Sequence, residues 1–121
     1  MAKYPCEMFG NFFYNPNLTY EQLHELEADL LREVDPLLSK QGAVHLDFTP
    51  RGDGLCLQCE FLDFDPEFFA SLAKKLAQII IDDTQARLLF VDKEELNKLY
   101  IFYLSKNKFT QEEVIIKAAK F

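Results

Sequence analysis

Cys56 and Cys59 stand at C-x-x-C spacing in the run Gly52-Asp53-Gly54-Leu55-Cys56-Leu57-Gln58-Cys59-Glu60-Phe61. That spacing holds zinc, or runs thiol–disulfide exchange, when a knuckle or a helix start swings both sulfurs to one point. Here only Leu57 and Gln58 lie between them, with neither glycine nor proline to bend the chain. The apolar pattern over 55–62 predicts a strand instead. Side chains alternate across a strand, so Leu55, Leu57, Cys59 and Phe61 share one face, and Cys56, Gln58, Glu60 and Leu62 share the other. Residues three apart are about 10 Å apart along an extended chain, beyond the ~7 Å Cα limit of a disulfide. Thiolates on opposite faces cannot both reach one zinc ion at ~2.3 Å. Cys6, His24 and His45 are the only other Cys or His ligands. The sequence therefore predicts no metal site, with Cys59 in the core and Cys56 on the opposite side.

His45 and Asp47 are two apart in a second strand-like run, 43–49, and so fall on one face. A His/Asp pair can orient an imidazole for acid–base work. With Cys56 they make the candidate catalytic set: His45, Asp47 and Cys56. No nucleophile motif accompanies them, because Ser39, Ser71 and Ser105 lack any surrounding signature. Four glycines cannot build a phosphate-cradling loop when most serve turns and helix ends. Arg51-Gly52-Asp53 spells an adhesion tripeptide, but glycine and aspartate are also what a hairpin turn wants. Asp63 and Asp65 could hold a hard cation, yet Asp65 is placed to cap a helix and no calcium-loop spacing is present. No cofactor is expected.

The chain has 121 residues and a formal net charge of −7, enough for a single domain. Nucleic-acid binding draws its affinity from lysine and arginine set against phosphates, so an acidic chain without a basic cluster argues against that class and against anionic membranes. No run approaches the ~20 apolar residues that span a bilayer, and the N-terminus lacks a signal-type apolar stretch. Three cysteines form no paired framework. The expectation is a cytoplasmic protein with reduced thiols.

The elements that must position these residues follow from caps and periodicity. Residues 6–14 read as an aromatic-rich strand in which Gly10 could mark a bulge. Thr19 and Gln22 have capping-box spacing, and Leu23, Leu26, Leu30, Val34, Leu37 and Leu38 recur at helical period. Pro36 predicts a kink or a short second helix, and Gly42 a stop. Segments 43–49 and 55–62 form a hairpin. Asp65, Pro66 and Glu67 start a second helix, with Phe68, Phe69, Leu72, Leu76, Ile79 and Ile80 as its stripe and Asp82-Asp83 as its end. Segments 86–91 and 99–104 form another hairpin across Asp92-Lys93-Glu94-Glu95. Thr110 and Glu113 favour a helix in the tail, while Val114-Ile115-Ile116 favour a strand, and we assign strand to 109–116. The fold class is α+β: two helices on one face of a mostly antiparallel sheet, in ferredoxin-like βαββαβ order with additional C-terminal strand(s).

Two helices cover one face only, and an antiparallel sheet with a wet second face alternates apolar and polar residues. Several strands here are apolar on both faces. Leu99, Ile101 and Tyr103 alternate with Tyr100, Phe102 and Leu104, and Leu88 and Phe90 with Leu89 and Val91. Something should cover the second face: residues 109–121 folded back, a second copy or partner protein, or a small apolar ligand. The sequence thus predicts a non-catalytic binding or regulatory domain acting through homodimer or protein-partner association, with Tyr100, Phe102 and Leu104 as interface residues. The alternative is a ligand-binding protein or enzyme using polar residues of the open face.

Overall fold

The computed structural model describes residues 3–81, 83–94 and 98–115. Eight elements follow one another: β1 (Cys6–Phe13), α1 (Tyr20–Lys40), β2 (Val44–Pro50), β3 (Gly54–Phe61), α2 (Pro66–Ile79), β4 (Gln85–Asp92), β5 (Lys98–Ser105) and β6 (Lys108–Ile115). The strands form one antiparallel sheet in the order β2-β3-β1-β4-β5-β6. The class is α+β, and the full element order is β-α-β-β-α-β-β-β rather than βαββαβ alone.

The helix starts are written locally. Thr19 accepts a hydrogen bond from the Gln22 amide while the Gln22 side chain accepts from the Thr19 amide, so two free donors are met reciprocally. Asp65 caps α2 by accepting from the Glu67 amide. Pro36 does not break α1 into the two helices that a proline there could have produced; the helix runs unbroken from Tyr20 to Lys40. Pro36 lies in the last turns on the exposed side, where the Arg32 carbonyl it leaves without a donor can meet water. The helix stops at Gly42, whose φ of 95° continues no helix. The expected end of α2 at Asp82-Asp83 falls partly outside the described residues; α2 itself closes at Ile79, and the Ile80 amide donates to the Leu76 carbonyl.

Both helices bury one stripe against the same face of the sheet. From α1 come Leu26, Leu30, Val34 and Leu38, and from α2 Phe69, Leu72, Ala73, Leu76 and Ala77. The sheet answers with Met8 and Phe12, Leu55, Leu57, Cys59 and Phe61, Leu88 and Phe90, and Phe102 and Leu104. Much of the phenylalanine is spent here. Phe69 stacks on Phe90 at 4.0 Å and 12°, Phe90 meets Phe102 edge-on at 5.6 Å, and Phe61 meets Phe68 edge-on at 5.2 Å. Each fully buried ring contributes roughly 1.5–3 kcal/mol by leaving water.

Gly10 marks close approach and not the expected bulge. Its pairing is regular on both sides, with Leu57 and with Leu88. A Cβ there would stand 2.9 Å from Leu57 Cγ and 3.3 Å from Leu88 Cδ2. The irregularity lies in β2, between Val44 and Asp47, where His45 takes a φ of 54°. An extra residue on an edge strand twists and partly protects that edge.

The tail forms a strand. Residues 108–115 pair with β5 from Ser105↔Lys108 to Lys98↔Ile115. The described part of 109–121 therefore widens the sheet and does not fold back over it. The β5–β6 turn is tied to the end of α2, since the Asn107 amide donates to the Ala77 carbonyl and Lys106 Nζ to the Gln78 carbonyl. Both bonds satisfy carbonyls that the helix end leaves free.

Candidate functional site

The strand registers lay out the face that carries no helix. Val44, Glu60, Glu7, Val91, Leu99 and Val114 form one row across β2-β3-β1-β4-β5-β6. The next row is Asp47, Gln58, Phe9, Leu89, Ile101 and Glu112. The third is Thr49, Cys56, Asn11, Arg87, Tyr103 and Thr110. Phe13, Gln85, Ser105 and Lys108 close the lower end.

This map divides the face. The β2–β3 side is polar, with Asp47, Thr49, Cys56, Gln58 and Glu60. The β1–β4–β5–β6 side is apolar, with Phe9, Leu89, Val91, Leu99, Ile101 and Val114 contiguous through neighbouring strands. Phe13 is 46% and Tyr103 45% exposed, and no described helix lies over them. Strands with one face in water alternate apolar and polar residues; here Leu89 and Val91 of β4, and Leu99, Ile101 and Tyr103 of β5, are consecutive apolar positions on the open side, opposite the buried apolar side of the same strands.

The expected interface set sits elsewhere. Tyr100, Phe102 and Leu104 face the helices and are buried to 6% exposure or less. The open side of β5 belongs to Leu99, Ile101 and Tyr103. Alternation showed that β5 had two apolar faces, and the choice between them depended on where the helices docked.

The expected catalytic set is not gathered into one site. Asp47 and Cys56 line a small hollow of about 230 Å³ with Thr49, Arg51, Asn11 and Gln58. His45 is not part of it. The bulge separates its register from that of Asp47, and its ring turns to Glu60, with Nδ1 2.8 Å from Oε1. The other Glu60 oxygen accepts from Lys93 Nζ. These two partners, Lys93 first, hold the Glu60 carboxyl below its ordinary range. Glu60 lies directly opposite Glu7 in the sheet, where like charges repel, and Lys93 offsets that repulsion. Sequence alone gave no sign of this cluster, because its members are 15 and 33 residues apart.

The thiols divide as alternation predicts. Cys59 is buried on the helix side and Cys56 is partly exposed on the other. Cys6 and Cys59 are both pushed up to about 12, chiefly by desolvation, so neither is a thiolate at neutral pH. Among the described residues no group of three or more His, Cys, Asp or Glu is arranged to hold a metal ion, and no helix is long and apolar enough to cross a membrane.

The lower end of the face holds a hollow of about 490 Å³ around Arg87, lined by Phe13, Gln85, Tyr103, Lys108 and Thr110 among others. With its amide turned to satisfy both groups, Asn11 donates to the Gly10 carbonyl at 2.9 Å and accepts from Arg87 Nη2 at 3.0 Å. The guanidinium also lies 5.8 Å from the centre of the Phe13 ring. Nothing in the sequence pattern singled this arginine out. Comparison of the chain with protein-family models, curated proteins and solved structures found no match.

Proposed function

We propose that this chain is a non-catalytic binding domain that works by pairing its open sheet face with that of a second copy. The observation that carries the reading is the apolar field of Phe9, Leu89, Val91, Leu99, Ile101 and Val114, uncovered by any described element. Phe9 is exposed and the other five are half-buried; apolar surface of this continuity favours burial against a partner.

The size of the face suits a twofold pairing. The four strands that carry the field, β1, β4, β5 and β6, are ~4.8 Å apart and ~26 Å long and present on the order of 500 Å² of projected area, the scale of the smaller specific interfaces, below ~600 Å² per partner. The edges of the sheet are less inviting. β2 is bulged and ends in Pro50, and β6 exposes Lys108, Thr110, Gln111, Glu112 and Glu113. Bulges, proline and charge discourage edge-to-edge addition, which leaves the face as the associating surface.

The charge distribution supports a protein partner over nucleic acid. The open-face strand positions carry Glu7, Asp47, Glu60 and Glu112 against Arg87 and Lys108, the wrong balance for a phosphate backbone. Three unpaired thiols support a reducing, cytoplasmic setting. The stretch from β1 to β4 supports a ferredoxin-like unit extended by two strands.

Size-exclusion chromatography with light scattering tests the reading. The wild type should run as a dimer at micromolar concentration, and Ile101→Asp as a folded monomer. Phe102→Asp, which places a carboxylate in the core, should unfold the chain. A wild type that is monomeric throughout the accessible range, or an Ile101→Asp protein that still dimerises, overturns the proposal.

A further inference from the structure

We infer that the hollow around Arg87 is a binding site for an organic anion: a carboxylate carried on a planar apolar body. The inference goes beyond the association reading. The hollow lies at the rim where β1 ends and β4 begins, below the Leu89–Ile101 field.

Arg87 is the only cation at an open-face position of the inner strands β3, β1, β4 and β5. Among the described residues it has no carboxylate partner. Its Nε is buried and makes no hydrogen bond. Burying part of a guanidinium without full pairing is costly. The fold nevertheless holds this side chain in place, through the Asn11 oxygen on one side and the Phe13 ring on the other. Because Nε is closed off from solvent, a carboxylate would be gripped end-on by the terminal Nη nitrogens, of which Nη2 already donates to Asn11.

The surroundings specify the rest of the ligand. Lys108 adds a second positive charge at the rim, and Thr110 and Ser105 add hydroxyl groups. Phe13 and Tyr103 flank Arg87 with half-exposed rings, surfaces on which a flat apolar body can stack. A cavity of about 490 Å³ falls within the range of small-molecule pockets. A small inorganic anion would use the cation and leave the rings wet, whereas an aryl carboxylate uses both.

The test is a protein-observed NMR titration with benzoate, its neutral isostere benzamide, and inorganic phosphate. Benzoate should give saturable shifts in residues 85–87 and 103–110. Benzamide and phosphate should each bind at least roughly tenfold more weakly, the loss expected when a charge-assisted pair or the stacking body is withheld. Arg87→Gln should weaken benzoate by a similar factor. Should that variant fold poorly, the benzoate–benzamide comparison on the wild type decides the matter. Non-saturating shifts, benzamide binding as tightly as benzoate, phosphate matching benzoate, or an unaffected Arg87→Gln protein would each overturn the inference. Ile101→Asp separates this site from the association surface: benzoate affinity should survive in that monomer, and its loss there would also count against an independent site.

Discussion

Phe69 of α2 lies flat on Phe90 of β4, with ring centres 4.0 Å apart and planes inclined by 12°. Both side chains are fully buried, and Phe90 in turn meets Phe102 of β5. This contact joins the second helix to the middle of the sheet. It also fixes which side of β4 and β5 is inside, and so which side is left open.

Truncating either ring should therefore be among the most damaging single changes. Phe90→Ala is expected to cost about 3–5 kcal/mol of unfolding free energy. A double-mutant cycle with Phe69→Ala should show a coupling of about 0.5–1.5 kcal/mol beyond area burial. Urea denaturation measures both. Additive losses would mean that the stacking geometry contributes nothing of its own.

Glu60 makes acid sensitivity local. Its carboxyl is held low by Lys93 and then His45, so the folded state favours the ionised form. The resulting stabilisation is fully present above the ordinary carboxylate range and is lost progressively as pH falls from that range through the lowered folded value. Glu60→Gln removes the titrating group. Its denaturation midpoint should fall less steeply than that of the wild type on the acid side. Parallel acid limbs for the two proteins would show that the cluster has no part in acid stability.

The thiols should react unequally. Cys56 is partly exposed on the open face, while Cys6 and Cys59 are buried and resist ionisation up to about 12. A chromogenic disulfide reagent should modify one thiol per native chain and all three after denaturation. Cys56→Ser should abolish the native-state reaction. Rapid modification of a second thiol in the native protein would contradict the burial of Cys6 and Cys59.

Local signals carried a large part of the architecture. Thr19 with Gln22, and Asp65 with Pro66, marked two helix starts because capping needs only residues a few positions apart. Alternation through 55–62 separated Cys59 from Cys56 because a strand has period two wherever it sits. The doubled apolar pattern of 99–104 showed that β5 had two greasy faces. The continuity of α1 through Pro36 was less legible, since the cost of a proline depends on whether the carbonyl it abandons faces water.

The kinds of elements, their order and the surplus of apolar strand surface are legible in the chain alone, because hydrogen-bond caps and side-chain periods are short-range properties. That Leu99, Ile101 and Tyr103 face outward while Tyr100, Phe102 and Leu104 face the helices was settled by the packed fold. It alone turned His45 to Glu60 and away from Asp47, and left Arg87 without a countercharge among the described residues. These outcomes depend on helix docking, on one extra residue in β2 and on pairing between strands distant in the chain, and no local pattern records such long-range choices.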